Sequence, residues 1–184
     1  MSRIEDLTPE TMTADQRRVY DAILAGPRGR AAGPFHAWLR SPGLAERAQE
    51  LGAFVRFGTA FPTVLSELAI LVTARHWRAE FEWWAHKRIA LEAGLDPAIV
   101  DAIARGGDPE FSDPDQQLVY EAATEIYESR TLGAETYASM VDRFDEAGVA
   151  ELIGVLGYYA MVSMTLNVFD VNLPKGEEPV FSNA

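Results

Sequence analysis

Apolar residues recur at helical spacing along nearly the whole chain, and the period-two alternation of strands is almost absent. A chain patterned this way must bury its stripes helix against helix, so the expected fold is all-α. Start and stop signals divide it. Thr13 and Gln16 form a capping box for a helix to about Ala25. The glycine- and proline-rich stretch 26–34 reads as a loose loop, followed by a helical turn at 35–39 that stops at Ser41-Pro42. Helices are then expected over about 44–57, over 62–76 with Pro62 as its first residue, over 79–93 with a stop at Gly94, and over 97–105 before Gly106-Gly107. Three more follow, over about 114–129, 134–144 and 149–169, and an extended tail covers 173–184. Helices 62–76 with 79–93 and 134–144 with 149–169 pair as two possible helical hairpins.

The chain has 184 residues, room for one domain with a real core, so a single domain over 1–184 is expected. Hydrophobic residues make up 48%, which argues against disorder. A formal charge of −12 repels phosphate backbones and anionic lipid, so neither nucleic acid nor membrane is an expected partner. No run reaches the roughly 20 apolar residues that span a bilayer, and the first residues hold no apolar signal core. The cytoplasm is therefore the expected location. There is no cysteine, which removes disulfides and thiol chemistry from this chain.

Two helices carry the chemistry. From Val64 to Ala74 the only charge is Glu67, on a face with Val64, Ile70, Leu71 and Ala74. A glutamate in such a stripe points to a rim, pairs with a cation, or is held as an acid or base. In the next helix Glu82 and His86 stand one turn apart on one face, in line with Ile89 and Ala93. Histidine exchanges protons near neutral pH. Glu-x-x-x-His is also a two-ligand metal spacing, but no further histidine lies nearby, and neither metal nor cofactor is expected. Trp83 and Trp84 are adjacent and must face different ways, one into the core and one toward a partner or pocket wall, and Trp83 is placed among the substrate contacts. His36, beside the glycine-rich loop, is a further candidate for closing over a pocket.

The run from Glu67 through Arg75 and Glu82-Trp-Trp-Ala-His86 to Ala93-Gly94-Leu95 resembles the core of the carboxymuconolactone decarboxylase family, which is related to alkylhydroperoxidase D. The resemblance is specific over 67–95, sits in a core of about 44–125, and extends more weakly to 33–35, 151–153 and 167–170. In the peroxidase branch a glutamate, a Cys-x-x-Cys pair and a histidine act together. Glu67 and His86 stand at the matching separation, and the cysteine positions fall on Ala79 and Glu82. The resemblance thus implies a cysteine-free branch that keeps the proton-handling pair without the redox pair.

It also implies a helical subunit of a homotrimer or homohexamer and a cofactor-free enzyme acting on a small carboxylated or lactone-type metabolite. In that reading His86 is the catalytic acid–base, Glu67 its orienting partner, and Glu82 a second orienter or acid. Arg75 is the first choice of cation for a substrate carboxylate, with Arg56 and Arg88 behind it. A same-scaffold isomerase or lactone hydrolase, an antioxidant relative by descent only, and a non-catalytic scaffold remain alternatives.

Overall fold

The computed structural model describes residues 2–5, 7–27 and 29–181. Among these the regular structure is helical throughout: α1 (Ala14–Ala25), α2 (Phe35–Trp38), α3 (Pro42–Phe57), α4 (Thr63–His76), α5 (Glu80–Glu92), α6 (Pro97–Arg105), α7 (Pro114–Ser129) and α8 (Ala134–Val168). The capping box of α1 forms as its residues dictate. The Gln16 N–H donates to Thr13 Oγ1, and the Thr13 N–H donates to Gln16 Oε1.

Helix α4 lies at the centre. Every residue from Leu65 to Ala74 is buried, as a helix that is apolar all round must be. It packs against α5, α6, α7 and α8. Pro62 caps α4 from outside instead of opening it, since its backbone is extended (ψ 146°). Helix α3 begins at Pro42, two residues earlier than expected, with the proline at the first helical position.

The two helices expected over 134–144 and 149–169 are both present and meet end to end within α8. A single residue, Asp145, leaves helical geometry (φ 58°, ψ −178°) and kinks it. Its carboxylate accepts the Gly148 N–H, capping the second half. The kink folds Phe144 back so closely that a Cβ on Gly148 would stand 2.5 Å from Phe144 Cβ, which only glycine allows. The element also changes the expectation about membrane spans. By length and apolar composition alone α8 could cross a bilayer, although half of its most apolar window is buried inside the domain. It packs on α3, α4, α5 and α7 and reads as a core helix.

The tail is without helix from 169 onward, as expected for 173–184; its last three residues lie outside the described ones. It is nonetheless anchored. Phe181 is 1% exposed and packs edge-on against Trp83, with ring centroids 5.2 Å apart. The backbone N–H groups of Val180 and Phe181 donate to the Glu80 carboxylate at 2.7 and 2.6 Å.

Candidate acid–base site

Helices α4 and α5 form a hairpin through Trp77–Ala79, where Arg78 takes a left-handed backbone (φ 50°). Glu67 lies nine residues before His76, and His86 nine residues after Trp77. Residues equidistant from the turn of a helical hairpin lie level with one another, so the spacing places the two side chains face to face.

They meet. His86 Nδ1 lies 2.6 Å from Glu67 Oε2, with both side chains buried. On the opposite edge of the ring, His86 Nε2 lies 3.2 Å from Glu82 Oε1, the residue one turn earlier on α5. The imidazole is therefore held between two carboxylates. Tyr159 of α8 closes on the ring edge-to-face at 5.0 Å. Glu82 sits in the first turn of α5, where the helix dipole favours a negative group.

Burial acts most strongly on His86 and pushes its pKa down. The charges of Glu82 and Glu67, with the Glu67 hydrogen bond, together outweigh burial and hold the pKa above the ordinary imidazole value. Arg56 opposes them, so its charge reaches the ring.

His86 and Glu82 form part of the wall of a cavity of about 250 Å³. The loop 30–35 roofs it, Phe81, Trp84 and Ala85 of α5 and Tyr158, Tyr159 and Val162 of α8 line it, and Arg56 of α3 and Pro174 of the tail close it. Glu67 does not line the cavity, so Nδ1 faces a carboxylate behind the wall and Nε2 faces Glu82, a residue of the wall. The Glu67 contact selects the neutral form with hydrogen on Nδ1, which leaves Nε2 as the nitrogen that gains and loses a proton. This arrangement can protonate or deprotonate a small molecule in the cavity.

The other candidates lie elsewhere. Arg75 is at the C-terminal end of α4, its guanidinium against the Phe181 ring at 5.4 Å and beside Gly106. It is not on the cavity wall, and neither is Arg88, which pairs with Glu92 at 3.2 Å. Among the described residues, the cations on the wall are Arg56 and, from the loop, Arg30. Trp83 is 1% exposed and turned toward the tail; its neighbour Trp84 faces the cavity. His36 borders a separate depression with Ser2, Ile4 and Val171. Tyr158 and Tyr159, which the sequence offers first as core packing on α8 and second as the lining of a substrate cavity, line the site.

The sequence matches no protein-family model and no curated protein. The fold has solved counterparts. One is the crystal structure of an alkylhydroperoxidase AhpD core, an uncharacterized peroxidase-related protein from Ralstonia eutropha JMP134. It superposes with a TM-score of 0.77 over 95% of this chain and 93% of that one, at 12% sequence identity. The chain thus has the AhpD-like helical fold, without the cysteines on which thiol chemistry depends.

Proposed function

We propose that this chain is a general acid–base enzyme acting on a small carboxylated or lactone-type metabolite, in the manner of a decarboxylase. One observation carries the reading: a single imidazole clamped between two buried carboxylates, with the ring and Glu82 both on the wall of a small cavity. Buried ionisable groups are costly to hold together and are concentrated where chemistry needs them.

In the decarboxylation the C–C bond to the departing carboxylate breaks, and its electron pair is delocalised into the unsaturated lactone carbonyl. The Nε2–H of the His86 imidazolium then protonates the resulting dienolate carbon, and CO₂ leaves. Glu67 holds the ring and supports its positive charge from behind. Glu82 stands ready to take the Nε2 proton or return it. The same Nε2, when neutral, is a base suited to isomerisation or to activating water on a lactone, so these reactions belong to one mechanistic group. Peroxide reduction by a thiolate does not, because Ala79 and Glu82 stand where the resemblance places the cysteines.

A non-catalytic scaffold would have no use for a histidine on a cavity wall backed by a hydrogen-bonded buried carboxylate. The test is turnover of carboxymuconolactone, followed by loss of its ultraviolet absorbance, for wild type beside His86→Ala. Turnover that falls by about 100-fold or more in the variant supports the reading. Undiminished turnover in the variant overturns it.

A further inference from the structure

Arg56 stands out among the charges around the cavity. The chain carries 28 acidic residues against 16 basic ones, so an arginine in it has ample choice of partners. Arg56 lines the same wall as Glu82 and His86, yet it makes no ion pair among the described residues. Its guanidinium lies over the ring of Phe57, 5.1 Å from the centroid, a contact that leaves its charge unneutralised. Arg30 joins it from the loop. With His86 as imidazolium, the described groups around the cavity leave one positive charge in excess of Glu67 and Glu82. Flat aromatic surfaces, Phe81, Trp84 and Tyr158, make up much of the remaining lining.

We infer that Arg56 is the anion-recognition residue of this cavity, holding a carboxylate of a small, flat organic acid so that the acid's body lies against the aromatic wall within reach of His86. The inference rests on the acid–base reading of the same cavity, and it moves substrate recognition from the end of α4 to the end of α3. A guanidinium suits the task because its planar fork matches the two oxygens of a carboxylate. Recognition and proton transfer are thereby divided. Arg56 fixes the anionic end, and the imidazole acts on a different atom of the bound molecule. The local cations also explain how a chain of net charge −12 could take up an anion at all.

The probe is benzoate, with neutral benzamide as its isosteric control, each titrated calorimetrically into wild type, Arg56→Gln, Arg56→Lys and Arg75→Gln. Circular dichroism verifies that each variant is folded. Wild type is expected to bind benzoate about 10- to 100-fold tighter than benzamide, the preference a charge-assisted contact confers. Arg56→Gln is expected to lose that preference, Arg56→Lys to keep a reduced one, and Arg75→Gln to match wild type. Equal binding of the two probes by wild type, or a preference retained in Arg56→Gln, overturns the assignment. Should Arg56→Gln fail to fold, the decision falls on Arg56→Lys, and a preference undiminished there overturns the forked contact. The two readings fail separately. Benzoate preference lost in Arg56→Gln, with no turnover of any acid, sinks the reaction and leaves the anion site. Carboxymuconolactone turnover that depends on His86 but not on Arg56 does the reverse.

Discussion

Replacing Glu67 by glutamine removes one negative charge from the centre of the domain and little else. The side chains of Glu67 and His86 are 3% and 7% exposed, and 2.6 Å separates Oε2 from Nδ1. Two limits bracket the cost. A hydrogen bond to a charged group contributes about 1.5–3 kcal/mol, and orphaning one member of a buried pair costs about 3–5 kcal/mol. Glutamine keeps an acceptor for the Nδ1–H, and Glu82 still faces Nε2. The loss should therefore fall near 2–4 kcal/mol, or roughly 5–15 °C in Tm for a domain of this size.

The pH dependence is the sharper signature. The folded pKa of His86 is held above its unfolded value. The stability this contributes is fully present below the unfolded pKa and fades as the pH rises through the folded one. Thermal unfolding of wild type and Glu67→Gln should therefore differ more at about pH 6, below the ordinary imidazole pKa, than at about pH 9. A difference of equal size at both pH values, or no difference, would refute the reasoning.

Three further expectations concern the cavity and its surroundings. Gly33 has φ +64°, and a Cβ there would stand 3.1 Å from Phe81 Cε1 on the cavity wall, so Gly33→Ala should cost about 1–2 kcal/mol in denaturant unfolding and weaken benzoate binding. Phe181→Ala removes the buried anchor of the tail and should destabilise the domain by about 3–5 kcal/mol, read as a lowered denaturation midpoint; a cost below about 1 kcal/mol would mean the anchor is not seated. A hydroperoxide assay with a dithiol reductant should give background rates, since this chain offers no thiolate; turnover above background would demand another redox group.

Much of the fold was legible because local signals and the global packing agree. The capping box at Thr13, the stop at Gly94 and the all-round apolar run of α4 each have a local cause that survives in the structure. The Glu67–His86 pair was legible for a geometric reason, since its two members lie level across one hairpin. What lay beyond the sequence depends on contacts between distant elements. The break between the two halves of α8 was legible from the sequence, but that Asp145 makes it with φ 58° while the halves stay end to end was not. Which of Trp83 and Trp84 meets the cavity is decided by Phe181, nearly a hundred residues away, which takes one face of α5 for itself. Arg75 looked apt because it lies between the two halves of the motif. Along α4, however, it is two turns past Glu67 and beyond reach of the cavity, whereas Arg56 arrives there through the packing of α3 on α8.

The most direct measurement is the protonation of the His86 ring, followed by ¹⁵N NMR of the histidine-labelled protein and assigned by comparison with His86→Ala. The expected result is a midpoint above the ordinary imidazole value, with Nδ1 protonated throughout and Nε2 the nitrogen that titrates. A midpoint below that value, or a neutral ring with its hydrogen on Nε2, would contradict the central claim that Glu67 fixes the ring and leaves Nε2 to work in the cavity.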